Sequence, residues 1–399
     1  MSDLVPIEGV VVPDRVHHPD AVRPAFWDQA AGVHPDERPL SAGARALVAG
    51  GIPAKTRDTY GRAWGYYRSF CRDNRLQSLP SAESTMIEYL EGWRSLPVHN
   101  RCAGGRQADG EPCRGHRPAP SSMWIWYSAV RLAHSLNTPP WPWYGGKRLA
   151  LAMKRYREEM AKELGWKPNK APRAWEEHVM AMVDALDLDD PMDLRDRAIL
   201  LTNWYTGGRA SDLATYRIGD VAFTPKGVDL SLVASKTNKA VGKVVERRVI
   251  RPVPGRRSPY DGVVALREWI AWLRGQGITQ GALFRPFAKP SAVTGIRGAL
   301  LRGHRDSLGY RMSSTSLSEV ISQRAIAAGV PDGEYMTCHS FRRGRATRLR
   351  ELHVDSLAIG RALGWAGLPP PEYMEEAEAF DDTAPAAVGL LVREADLSS

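Results

Sequence analysis

Three short segments of this chain carry side chains whose types and spacing suit work on a phosphate ester. In Tyr-Thr-Gly-Gly-Arg-Ala-Ser-Asp, Arg209 follows Gly207-Gly208 at the predicted start of a short helix, and Asp212 lies one turn on. A planar fork of N–H donors matches two phosphate oxygens, and a helix start adds its own N–H groups. The Asp212 carboxylate can orient that guanidinium. In Thr-Cys-His-Ser-Phe-Arg, His339 and Arg342 stand three apart, which a helix places on one face. A histidine can hydrogen-bond a phosphate oxygen or move a proton, and an arginine can neutralise charge developing on phosphorus. In Leu-Gly-Trp-Ala-Gly-Leu-Pro-Pro-Pro-Glu-Tyr, Trp365 offers an indole N–H, and Tyr373 a hydroxyl between a proline-rich turn and an acidic stretch. Taken singly, each motif has an ordinary structural use as an ion pair, a polar helix face or a packed tyrosine.

The elements that must position them follow from periodicity. Residues 1–45 are rich in Pro, Ala and Asp without sustained period and read as a loosely ordered N-terminal arm. Helical patterning starts near Ala54, where Tyr60, Trp64, Tyr67, Phe70 and Cys71 recur every three or four residues and build one apolar face. Three more helices follow, in Ser81–Leu96, Ser121–Leu136 and Gly145–Leu164, with Ser81 and Ser84 as candidate caps for the first. Residues 46–165 thus form a helical domain interrupted by a Gly/Arg-rich loop at 97–120. Two prolines and two lysines mark 166–173 as a linker. Beyond it come two helices, then two or three Val-rich strands in Gly227–Thr237 and Val241–Val253, then mainly helix from Pro259. The fold class expected is mainly α with a small antiparallel β-sheet.

Composition bounds the partners. Residues 46–165 hold 18 Lys/Arg against 10 Asp/Glu and residues 166–371 hold 31 against 20, whereas 1–45 hold 4 against 7 and 372–399 hold 1 against 8. Two basic blocks with acidic flanks suit a grip on a polyanion, although a solvated basic surface would look the same. Four cysteines (Cys71, Cys102, Cys113 and Cys338) give no disulfide framework and fit a reducing cytoplasm. The N-terminus lacks the basic-then-apolar pattern of a secretory signal, and no apolar run is long enough to cross a membrane.

The three segments, in this order, resemble the catalytic domain of the tyrosine recombinase (phage integrase) family. The likeness spans roughly residues 174–385. The family's signature is an arginine in a Gly-Leu-Arg-x-x-Glu/Asp segment, a lysine in a β-hairpin, His-x-x-Arg in a helix, His or Trp after Leu-Gly, and a nucleophilic tyrosine eight to ten residues on. Arg209 matches the first arginine with Asp212 at the acidic position, His339 and Arg342 the pair, Trp365 the His/Trp position and Tyr373 the nucleophile. Gly207-Gly208-Arg209-Ala210 departs from the commoner Gly-Leu/Met-Arg-Ile without touching a catalytic group. Lys236, in Ser-Lys-Thr after a Val-rich run, resembles the hairpin lysine, with Lys239 and Lys243 as alternatives. Lys239, Lys243 and Arg343 are further candidate DNA contacts. The helical block at 46–165 resembles the family's core-binding domain more generically.

The resemblance implies strand cleavage and rejoining without ATP or a catalytic metal. Tyr373 attacks the scissile phosphate to leave a 3′-phosphotyrosyl bond and a free 5′-hydroxyl. Arg209 and Arg342 stabilise the pentavalent state, Lys236 protonates the leaving 5′-oxygen, and His339 and Trp365 assist at the phosphate. It further implies a C-shaped clamp on duplex DNA, a homo-tetramer on paired sites, an accessory DNA-bending or directionality protein, and a place on the nucleoid. The tail at 386–399 docks either on a neighbouring copy or back on its own domain. A type IB topoisomerase or telomere resolvase would use the same chemistry, and a DNA-binding protein without catalysis is the reading from a different class.

One feature lies outside this scheme. His99-x-x-Cys102 and, after ten intervening residues, Cys113-x-x-His116 form a mirrored set with zinc-like spacing. The loop is therefore expected either to hold a structural zinc ion or to remain a basic loop near DNA.

Overall fold

The computed structural model describes residues 42–96, 102–103, 106–107, 116–136, 146–167, 170–232, 246–253, 258–288, 300, 310–365 and 367–369. The chain divides into two compact units, Met1–Asn169 and Lys170–Ser399, so the division falls inside the 166–173 stretch.

In the first unit, helix α1 (Ala42–Gly51) begins within the stretch expected as an arm. Its sequence is Ala- and Gly-rich with Leu47 largely exposed, so no amphipathic period announced it. Helices α2 (Ala54–Asp73), α3 (Glu83–Arg94), α4 (Pro120–Leu136) and α5 (Lys147–Glu158) supply the core. Each turns one aromatic-rich stripe inward: Trp64, Tyr67 and Phe70 from α2, Tyr89 and Trp93 from α3, Trp126 from α4, Tyr156 from α5. The Tyr89 ring lies 5.0 Å from that of Phe70 and 5.3 Å from that of Tyr67, both edge-on, the arrangement ring quadrupoles prefer. Ser81 does not cap α3, whose N-cap is Ala82 without a side-chain bond. Ser81 is instead buried, sharing a hydrogen bond with the Tyr67 hydroxyl and donating its N–H to His134 Nε2 at 2.9 Å.

The inserted loop starts and ends at one carboxylate. Glu159, at the head of a π-helical turn (Glu159–Glu163) that extends α5, accepts from Arg94 just before the 97–120 loop and from Arg117 Nη1 at 2.6 Å near the end of it. Within the loop, strands β1 (Cys102–Ala103) and β2 (Arg106–Gln107) pair antiparallel.

The second unit packs helices against a three-stranded antiparallel sheet, so the fold is mainly α with a small antiparallel sheet as expected. After α6 (Glu176–Asp184), helix α7 (Pro191–Thr206) runs through the core with nearly every residue buried. It starts on an Asp190 cap with Pro191 in the first turn and stops at Gly207, whose left-handed φ of 54° ends the helix. The short α8 (Ala210–Leu213) leads into β3 (Val221–Thr224), β4 (Gly227–Leu232) and β5 (Glu246–Ile250), paired in that order with Leu230 opposite Arg248. Helices α9 (Gly262–Gly275), α10 (Ser314–Ala327), α11 (Cys338–Glu351) and α12 (Ser356–Leu363) complete the unit. Asp261, Ser313, Thr337 and Asp355 each accept from an N–H of the first turn, which sets where these four helices begin. Among the described residues no helix is long and apolar enough to cross a membrane.

Candidate active site

Three loops and helix ends converge in the second unit on one buried guanidinium. Arg342, on α11, is 1% exposed. Its Nη1 donates to the Gly207 carbonyl at 2.7 Å and to the Leu363 carbonyl at 2.7 Å. Those acceptors are the C-terminal carbonyls of α7 and α12, which lack partners inside their own helices and carry the negative end of the helix dipole. The guanidinium also lies over the indole of Trp365, 4.2 Å from the ring centroid. One side chain therefore gathers segments 207, 342 and 363–365 that are far apart in sequence.

Arg209 sits at the N-cap of α8, beside Gly207. Asp212, 3% exposed on its side chain, accepts from the Arg209 N–H at 3.2 Å and faces its Nη1 at 3.8 Å. That second distance is electrostatic attraction beyond hydrogen-bond length. Arg209 Nη1 is buried with no hydrogen-bond partner among the described residues. A buried guanidinium N–H in that state is costly and matches an anionic oxygen that arrives with a ligand.

His339 is exposed in the first turn of α11, its N–H capped by Thr337 Oγ1 at 3.1 Å. It shares the helix with Arg342, three residues on. Beside it, burial pushes the Cys338 thiol up to about 12, so that sulfur stays protonated and is no competing nucleophile. Arg343, expected among the DNA contacts, is buried, and its Nη1 donates to the Ala171 carbonyl. Its guanidinium thus ties the start of the second unit to α11. Lys236, Lys239, Lys243 and Tyr373 lie outside the described residues, as do His99 and Cys113. Of that last ligand set, Cys102 belongs to β1 and His116 is half-buried ahead of α4.

Sequence reasoning missed the arginines around the end of α12. A cavity of about 620 Å³ beside Leu363 has Arg247, Arg248, Arg251, Arg345 and Arg361 in its wall. Arg345, one turn beyond Arg342, lies 5.9 Å from the Trp204 ring, and burial lowers its guanidinium pKa. The only advance signal was the density of arginine in Glu246–Arg251 and in α11, which a solvated face would also show.

Residues 173–369 match the model of the phage integrase family. The chain is 25% identical over 209 residues to an integrase/recombinase xerD homolog of Selenomonas ruminantium, covering 52% of this chain and 55% of that protein. It is 27% identical over 233 residues to tyrosine recombinase XerC 1 of Ralstonia nicotianae, covering 55% and 63%. The matches thus span little more than half the length of these relatives. Among solved structures, the XerH site-specific recombinase bound to a palindromic difH substrate superposes with a TM-score of 0.50 at 13% identity, over 85% of this chain and 82% of that one, a likeness of fold.

Proposed function

Because this chain belongs to the phage integrase, or tyrosine recombinase, family through residues 173–369, we propose that it is a site-specific recombinase that cleaves and rejoins duplex DNA through a phosphotyrosyl bond. The Tyr373 oxygen attacks phosphorus and takes the 3′-phosphate. The P–O bond to the 5′-oxygen breaks, and Lys236 supplies the proton that makes it a hydroxyl. His339 assists removal of the tyrosine proton. The incoming 5′-hydroxyl of a partner duplex reverses the step, so the ester bond energy is kept and ATP is not consumed.

The observation that supports this reading most is the pairing of two guanidiniums with different settings. Arg342 is held by two carbonyls and an indole, and Arg209 keeps a buried Nη1 without a hydrogen-bond partner among the described residues. A fixed cation costs no reorganisation as charge builds on the phosphate, and loss of either arginine is expected to slow cleavage by about 10²-fold or more. The basic balance of residues 46–165, 18 Lys/Arg to 10 Asp/Glu, and of residues 166–371, 31 to 20, supports phosphate contacts with a duplex and a salt-dependent affinity. In this proposal four copies assemble on two duplexes, with a DNA-bending or directionality protein as accessory.

The test uses a duplex selected from random sequence by binding to the protein, then nicked beside the cleavage position so that the short 5′ fragment diffuses away. The expected product is a covalent protein–DNA adduct that is absent in Tyr373→Phe. An adduct that survives that change overturns the choice of nucleophile, and no adduct from the native protein on any selected duplex overturns the proposed activity.

A further inference from the structure

The end of α12 is held from two sides. Opposite Arg342, Arg248 reaches out of β5, is 2% exposed, and donates from Nη1 to the Ala362 carbonyl and from Nη2 to the Leu363 carbonyl at 3.0 Å. The Leu363 oxygen therefore accepts from two guanidiniums, Arg248 Nη2 and Arg342 Nη1. Two cations at a helix C-terminus are favoured by the dipole, and bonds from charged donors are the strong ones. Each carbonyl oxygen has two lone pairs, so a shared acceptor satisfies both donors without competition.

The path of the chain beyond Leu363 gives this clamp its consequence. The backbone turns at Gly364, Trp365 donates its backbone N–H to the Gly360 carbonyl at 2.8 Å, and its ring lies on Arg342. A Cβ at Gly360 would stand 2.2 Å from the Gly367 carbonyl, so the bare glycine lets the outgoing chain lie against α12 on its way to Tyr373. The other end of the clamp is β5, which residues 233–245, with Lys236, join to β4. Arg248 thus links the strand after the candidate general acid to the helix end before the candidate nucleophile.

We propose that Arg248 is a positioning residue for strand cleavage. It touches no reacting atom. It fixes the Leu363 carbonyl, which in turn sets Arg342 and the Trp365 indole against the phosphate. This rests on the function proposed above, and the experiment separates the two.

Protein labelled with 5-fluorotryptophan gives a fluorine resonance for Trp365, assigned by its loss in Trp365→Phe. In Arg248→Met that resonance shifts, while those of the stacked Trp269 and Trp272, ring centroids 5.2 Å apart, stay in place and report an intact core. On the selected nicked duplex the covalent step slows by about 10- to 100-fold, the scale of a misplacement of an ångström or less, with DNA Kd changed less than about threefold. Arg248→Lys keeps the charge but meets one carbonyl at a time, and recovers part of both readouts. If Arg248→Met does not fold, Arg248→Lys against native protein carries the test through the same shift and a smaller slowing. An unmoved Trp365 resonance, or a cleavage rate that falls only in step with the folded fraction and DNA affinity, overturns the proposal. Absence of an adduct from native protein counts against the proposed function alone, because the fluorine readout needs no DNA.

Discussion

Substituting Gly207 by alanine tests whether the geometry around Arg342 is built on this one backbone position. Gly207 has a φ of 54°, and a Cβ there would stand 2.2 Å from Leu363 Cδ2. The left-handed conformation costs an L-residue roughly 1–2 kcal/mol. Leu363 is 1% exposed and packed on its Gly207 side, so turning its Cδ2 aside toward the neighbouring cavity costs about 1–3 kcal/mol more. The expected loss is about 2–5 kcal/mol, inside the roughly 5–15 kcal/mol of an ordinary domain, so the variant remains folded at 25 °C. Leu363→Ala alone opens a cavity and costs about 2–5 kcal/mol. In the double variant the overlap is gone and only the backbone strain persists, so the two losses fall short of additivity by about 1–3 kcal/mol. Urea unfolding followed by tryptophan fluorescence reads all four proteins. Cleavage of the nicked duplex is expected to drop by about 10²-fold in Gly207→Ala, since the same carbonyl anchors Arg342. Strict additivity, or a Gly207→Ala protein as stable as the native one, would refute the reasoning.

Three further outcomes are expected. Arg324 bonds to Asp193 and to Asp196, whose Oδ2 lies 2.8 Å from its Nε, and both carboxylates are buried; Arg324→Met strands Asp193 and is expected to cost about 3–5 kcal/mol in urea unfolding, a loss under about 1 kcal/mol counting against it. Burial lowers the pKa of His134, whose Nε2 accepts the Ser81 N–H, so the unfolded chain binds the proton more readily than the folded one. Its contribution is present above the ordinary His value of about 6.5 and is lost as the pH falls below it; Tm therefore drops between about pH 7.5 and 5.5, and His134→Asn, which can still accept that N–H, blunts the drop, whereas an unchanged pH profile would exclude His134 as the cause. Metal analysis of the purified protein decides between the two expectations for the loop: about one zinc per chain, lost in Cys113→Ser, identifies the structural site, and a protein with none removes the His99, Cys102, Cys113 and His116 set and leaves the basic loop.

Side-chain periodicity made the helices legible and left their ends obscure. The stripe through Trp64, Tyr67 and Phe70 announced α2 because burial of one helical face repeats every three or four residues. Ser81 looked like a cap because serine favours that role, but a buried histidine and tyrosine across the core had the stronger claim on it. Helix α1 carried no period to read. At the site, the His339 and Arg342 spacing was visible, yet what immobilises Arg342 was not, since its acceptors are carbonyls of Gly207 and Leu363 that no residue type marks. Arg343 was a candidate DNA contact, but one step along a helix turns a side chain by about 100°, and its Nη1 donates to the Ala171 carbonyl. Arg248 was hidden for a related reason: in an alternating strand only register decides which of Arg247 and Arg248 points inward.

That register bears on the chemistry. Arg247 is exposed and pairs with Asp229 across the sheet, while Arg248 is buried against the end of α12. Shifting β5 by one residue would exchange the two and leave the Ala362 and Leu363 carbonyls without Arg248. Arg342 would then hold Leu363 alone, with the Trp365 turn tethered at one point instead of two. The sheet, small as it is, therefore does more than cover the core: its pairing fixes the helix end on which the candidate phosphate-binding groups are mounted. A substitution that loosens β4–β5 pairing without altering Arg209, Arg248 or Arg342, such as Leu230→Gly opposite Arg248, is accordingly expected to move the Trp365 resonance before it unfolds the unit.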